Sequence, residues 1–188
     1  METMLFATGN RGKVEEMQPL FNKRGFELEQ VEVDIDEIDA LDVEDVARRK
    51  AEDSWEAVDG DQPVIVEDTG FFIEPLSGFP GAKAAFFDRT VGAEKLLELL
   101  EDEGDREAYF KTAIAFHDGQ KTRVFSGRID GQVPQTPRGE PHPHLPYDSL
   151  FIPWDGDGSS FAENPGLKED ISHRRKATKQ FLDWLEEL

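Results

Sequence analysis

The chain has 188 residues, 41 acidic and 21 basic, and so a formal charge of −20 at neutral pH. That length predicts one domain, or two small lobes sharing a core, and 14 Phe with 3 Trp are too many for a disordered chain even at 37% apolar residues. The absence of cysteine excludes a disulfide scaffold, a thiolate zinc site and a Cys nucleophile, and the negative charge argues against a duplex nucleic-acid binder.

Residues 4–7 read as a short buried strand, turned by Thr8-Gly9-Asn10 into a helix over residues 12–23 with Val14, Met17, Leu20 and Phe21 on one face. Residues 31–35 alternate and predict a strand. Val43, Val46, Ala47, Lys50, Ala51, Trp55 and Val58 fall at helical spacing, ended by Asp59-Gly60-Asp61. A second buried strand over 64–66 closes at Glu67-Asp68-Thr69-Gly70. After a Gly/Pro stretch at 77–81, a helix is expected over 91–100. Residues 108–117 and 123–133 predict an antiparallel hairpin turned at Asp118-Gly119. A Pro-rich loop over 134–146, a short strand over 149–153 and a last helix over 172–188 complete an α/β chain with a mixed sheet. No apolar run reaches membrane-spanning length, and residues 1–4 lead straight into a strand, so the expectation is a soluble, cytoplasmic protein that binds no membrane.

Three stretches carry chemistry. At Thr8-Gly9-Asn10-Arg11-Gly12-Lys13 a strand gives way at once to a helix, whose free N–H groups and dipole suit an anion; an ordinary turn with a solvent lysine is the alternative. Asp68 beside Glu67 suits a hard cation, unless the pair is simply two loop acids in an acidic chain. His173, Arg174, Arg175 and Lys176 fill the first turn of the last helix, where cations oppose the dipole; an anion bound there, or pairing with nearby acids, would account for them. The two histidines of Pro141-His142-Pro143-His144 have no further His near them in sequence, so a polar loop is favoured over a metal site. The acid is spread along the chain, which suits a surface adapted to high salt better than an ordinary acidic one.

In this order, Phe6-Ala7-Thr8-Gly9-Asn10 with Lys13, Glu67-Asp68-Thr69-Gly70 followed by Gly78-Phe79-Pro80-Gly81, Pro137-Arg138-Gly139, Tyr147-Asp148, Phe161-Ala162-Glu163, Lys168 and Ser172-His173-Arg174 resemble the inosine triphosphate pyrophosphatase family, in its archaeal branch. The resemblance spans nearly the whole chain. It implies an elongated mixed β-sheet flanked by helices, with two lobes and a cleft between them. It also implies Mg²⁺-dependent hydrolysis of ITP, dITP and XTP to the monophosphate and pyrophosphate, by a homodimer. Carried over residue by residue, Thr8, Gly9, Asn10, Arg11, Gly12 and Lys13 match the phosphate-binding turn, and Lys50 a phosphate-contacting lysine. Asp68 matches the carboxylate that binds metal and takes the proton of the attacking water, Glu37 the second metal-binding acid, and Thr69 a substrate-contacting hydroxyl. Lys168, His173 and Arg174 match nucleobase and phosphate contacts, and Leu145, Pro146, Tyr147 and Asp148 the base-binding loop.

The chain departs from that pattern in places. Leu145 stands where an aromatic ring would stack on the purine, Pro146 where a glycine would stand, and Glu169 follows Lys168 in place of an asparagine. Base affinity is then expected to be weaker, or supplied by a nearby Phe, Tyr147 or Trp154. A protein that binds nucleotides without turning them over is the competing reading.

Overall fold

The computed structural model describes residues 2–35, 38–60, 62–140 and 142–187. Strand β1 (Glu2–Ala7) lies parallel to β2 (Phe26–Val31) and, over only Leu5↔Val64 and Phe6↔Ile65, parallel to β3 (Val64–Ile73). Strands β5 (Glu107–His117) and β6 (Thr122–Gln132) continue the sheet antiparallel, followed by the short β7 (Ile152–Pro153). The two-residue β4 (Pro80–Gly81) pairs with the far end of β3. The order is β2-β1-β3-β5-β6-β7. The α/β architecture with a mixed sheet is as expected.

Helices α1 (Arg11–Asn22) and α6 (His173–Leu185) cover one face and α2 (Val43–Ala57) the other. Because both faces are covered, Val64, Ile65 and Val66 are all buried, the continuous apolar run of a two-sided strand. Met17, Phe21, Ile65, Ile114 and Phe181 form the core on one side, and Val43, Ala47, Ala51, Val64 and Val66 that on the other. A third core, with Phe71, Phe110, Leu150, Phe151 and Phe161, fills the second lobe with α3 (Ala84–Thr90), α4 (Lys95–Leu99) and the region of α5 (Pro165–Ile171). Each fully buried phenylalanine contributes about 2–3 kcal/mol.

Several boundaries differ from the sequence expectation. The strand expected over 31–35 lies at 26–31: Gly25, at φ +83°, ends α1's turn so abruptly that the chain enters the sheet at once, and Val31 is already level with Ala7. The strand expected to close at residue 66 runs on to Ile73, so Glu67-Asp68-Thr69-Gly70 is strand, each residue paired to β5. Phe71 and Ile73, buried in the second lobe, are what carry it forward. The helix expected over 91–100 shrinks to α4, because Gly92 at φ +95° separates it from α3, a helix that was not foreseen. Among the described residues of 134–145 the loop is as expected; a 3₁₀ turn over Pro146–Leu150 cuts the strand expected over 149–153 down to β7, α5 was not foreseen, and α6 ends at Leu185, Leu188 lying outside the described residues.

Candidate active site

Where β1 stops at Ala7, β3 continues, and β4 rejoins it only at Phe71↔Gly81. Residues 66–70 therefore have no strand partner on that side, and a cleft of about 660 Å³ opens along this edge between the lobes. Adjacent residues of a strand face opposite ways. Glu67 turns to the α1–α6 side and Asp68 to the α2 side, so the two acids meet different helices.

On the first side, Lys13 Nζ lies 2.5 Å from Glu67 Oε2 and donates to the Glu67 backbone oxygen at 2.8 Å. Arg174 reaches Glu67 Oε1 at 3.1 Å, and Thr69 also donates to that oxygen. Thr112 lies 2.5 Å from the Thr69 hydroxyl. Burial pushes the Glu67 carboxyl up, but Arg174 and Lys13 outweigh it and hold the group far below the carboxylate range. On the second side, Lys50 Nζ donates to Asp68 Oδ1 at 2.9 Å. Here burial wins over Lys50 and Lys13, and the Asp68 carboxyl is raised. Its Oδ2 is buried with no hydrogen-bond partner among the described residues.

Farther along the cleft, Lys168 Nζ contacts both oxygens of Asp148, at 2.8 and 2.6 Å, and Glu16 Oε1 at 2.5 Å, while Arg174 pairs with the other Glu16 oxygen. Burial raises the Asp148 carboxyl more than Lys168 lowers it. His173 is buried and stacked on Phe110 at 4.5 Å; burial, then Arg174 and Lys168, push its pKa well below the usual histidine value, so it is neutral. Its place depends on Gly127 of β6: a Cβ there would stand 2.2 Å from the His173 carbonyl oxygen, so no other residue lets α6 come this close. A side pocket of about 270 Å³ shares Leu145, Asp148, Lys168 and Arg174 with the cleft and reaches past Gly12, Glu16 and Phe161.

Thr8, Gly9, Asn10, Lys13, Lys50, Asp68, Thr69, Leu145, Pro146, Tyr147, Asp148, Lys168, His173 and Arg174 all line the cleft. Gly12 lines only the side pocket. Arg11 does not join them: it is exposed and paired along its own helix with Glu15 at 3.0 Å. Glu37 lies outside the described residues. Two of the N–H groups expected to be free at the first turn of α1 are not, because Asn10 Oδ1 caps those of Gly12 at 2.9 Å and Lys13 at 3.4 Å. Tyr147 is no free ring either: its hydroxyl donates to the Ala84 carbonyl at 2.6 Å and its ring packs on Phe71. Trp154, directly after β7, is 55% exposed and does not line the cleft.

A model of the family described as the Ham1 family matches residues 4–184. The chain belongs to the Ham1 family. Among its relatives, a dITP/XTP pyrophosphatase of Thermococcus kodakarensis is 40% identical over 98% of this chain and 97% of its own. One of Methanopyrus kandleri is 41% identical, over 96% and 95%. The Ham1 protein of Coxiella burnetii superposes with a TM-score of 0.84 at 27% identity over 100% of both chains, and that of Staphylococcus aureus with 0.81 at 26% over 99% of both.

Two residues that hold the lining of this Ham1 cleft in place, Glu16 and Thr112, carry no assignment from the sequence. Glu16 bridges Lys168 and Arg174, yet it is one acid among 41. The available signal was its place one turn after Lys13 on α1, next to a helix face bearing Met17. Thr112 could be found only through the β3–β5 register, which sets it opposite Thr69. The basic first turn of α6 is resolved in favour of pairing for Arg174, whose partners are the buried Glu16 and Glu67; burial lowers its pKa, but these two acids raise it further.

Proposed function

We propose that the chain hydrolyses non-standard purine nucleoside triphosphates, dITP and XTP among them, to the monophosphate and pyrophosphate. One observation carries the reading: Asp68 stands on an unpaired strand edge, its Oδ1 held by Lys50 and its Oδ2 unpartnered, in a cleft where Lys13, Lys50, Lys168 and Arg174 converge. The names of the relatives supply the substrate class.

The unpartnered Asp68 oxygen fits a hard divalent cation, and Asp68 with Glu37 would hold Mg²⁺. Bound there, Mg²⁺ supplies charge neutralisation at the phosphoryl oxygens. Asp68 orients the attacking water and accepts its proton, a task that a carboxyl raised by burial performs better than an exposed one. Lys13 and Lys50 stabilise charge on the transferring and leaving oxygens as water adds to the α-phosphorus and pyrophosphate departs. At the other end, Lys168 and Arg174 stand beside the base, and reading a 6-keto oxygen requires one of their donors to turn from Asp148, Glu16 or Glu67 toward it. The 6-amino group of adenine accepts no such bond, and the ATP reaction is disfavoured accordingly.

Incubation with dITP, XTP, ITP and ATP, with Mg²⁺ at high salt, tests this by pyrophosphate release. Release from the first three well above that from ATP is expected, and release from none overturns it. Tight nucleotide binding without release selects the non-catalytic alternative. The reading extends to a homodimer at work in nucleotide-pool upkeep in the cytoplasm, to be checked by sedimentation equilibrium. Among the described residues no helix is long and apolar enough to cross a membrane.

A further inference from the structure

The cleft's inner cations are already neutralised. Lys13 is matched by Glu67, Lys50 by Asp68, Lys168 by Asp148 and Glu16, and Arg174 by Glu16 and Glu67, so four cations meet four carboxylates. A triphosphate brings about four negative charges, and a divalent ion offsets only half of them. The entering tail therefore needs a cation not committed to a carboxylate. Five Lys and Arg side chains line the cleft: Lys13, Lys50, Arg89, Lys168 and Arg174. Of these, Arg89 alone makes no ion pair or hydrogen bond among the described residues, in a chain where acids outnumber bases 41 to 21.

Arg89 is exposed near the end of α3, on the second lobe, whereas Lys13 and Lys50 come from α1 and α2 of the first. It shares the cleft wall with Phe86, which is 57% exposed. The neighbouring acid, Asp88, has its Oδ1 engaged by the Ala93 N–H at 3.1 Å rather than by the guanidinium. A position in the last turn suits the helix dipole anywhere on the surface, but it does not explain why an arginine in so acidic a chain meets no acid among the described residues beside this cleft.

We propose that Arg89 binds the polyphosphate tail of the substrate from the second lobe, its planar guanidinium taking two phosphate oxygens across the cleft from Lys13 and Lys50. Arg89 thus separates triphosphates from monophosphates, which lack the outer phosphates it would reach. This inference rests on the triphosphate reading above, and a ligand without a base tests it separately.

Calorimetric titration with inorganic tripolyphosphate and Mg²⁺ is done on the wild type, Arg89→Ala, Arg89→Lys and Lys95→Ala, the last removing an equal charge from α4. Arg89→Ala is expected to weaken tripolyphosphate binding by about tenfold or more, with Arg89→Lys recovering part of it. Lys95→Ala should bind like the wild type, and inosine monophosphate should bind all four proteins alike. Undiminished tripolyphosphate binding by Arg89→Ala, an equal loss in Lys95→Ala, or no binding by the wild type overturns the assignment. Wild-type turnover of dITP, measured alongside, judges the catalytic reading separately: its absence sinks that reading, while the titration still decides Arg89.

Discussion

The Lys50 ammonium lies 2.9 Å from one oxygen of Asp68, and the other oxygen of that carboxylate, itself buried, meets no donor among the described residues. An aspartate used only to balance Lys50 would have both oxygens satisfied. Asp68→Asn preserves shape and removes the charge, so pyrophosphate release from dITP should fall by about 10²–10⁴-fold. The urea midpoint should stay close to that of the wild type. Full activity in this variant would remove Asp68 from its role.

Glu16 is expected to matter for stability as well as for the base end of the cleft. It faces Lys168 and Arg174 together; burial raises its pKa, but Arg174 and Lys168 outweigh that and lower it. Glu16→Ala leaves two buried cations short of a partner and should cost about 3–5 kcal/mol in urea unfolding. In a double-mutant cycle with Lys168→Met the two losses should not add.

His173 predicts acid sensitivity of a definite sign. Burial first, then Arg174 and Lys168, lower its folded pKa well below 6.5, the value of the unfolded residue. Above that value both states are neutral and the group contributes no pH dependence. Below it the unfolded chain takes up a proton that the folded one refuses, so stability falls with pH by up to about 1.4 kcal/mol per unit from this group. His173→Gln should flatten the slope below pH 6.5 and leave it unchanged near pH 8, as read from urea midpoints across that range. An identical slope in both proteins would refute the assignment.

Leu145 borders both the cleft and the side pocket and offers no ring to a purine. Leu145→Phe should tighten inosine monophosphate binding by about 1 kcal/mol or more, at the low end of base–aromatic stacking. Tripolyphosphate affinity should be unmoved. Unchanged or weaker nucleotide binding would remove this residue from the base-stacking position.

The net charge of −20 predicts a dependence on ionic strength. Screening shortens the reach of repulsion to about 3 Å at 1 M salt, so the melting temperature should climb from dilute buffer to molar KCl. An equal osmolarity of a neutral solute should give less, and no difference between the two would rule out screening.

Much of the fold was legible because its signals are local. The apolar face of α2 and the turn at Asp118-Gly119 that joins β5 to β6 each declare themselves within a dozen residues. What escaped was decided at a distance. Residues 67–70 read as the end of the strand because acids, threonine and glycine crowd together, yet β5 pairs with every one of them and the second-lobe core pulls the strand onward. The strand placed at 31–35 lost to 26–31 because the pairing partner, not the alternation, sets the register. In the cleft, the cations stood out by scarcity, whereas Glu16 was hidden by the abundance of acid, and the pairing of Glu67 with Lys13 and Arg174 emerges only once α1, β3 and α6 are packed together.

The gap beside β3 has a cost that its charged lining offsets. A strand edge with free amides and carbonyls is a template for another chain to add itself, the first step of aggregation. Here the Glu67 carbonyl is occupied by Lys13, and buried charge stands on both sides of the unpaired stretch, so an intruding strand would have to displace ion pairs to add itself. The groups assigned to chemistry therefore also serve as gatekeepers against self-association, and neutralising several of them at once should make the protein prone to precipitate as well as inactive.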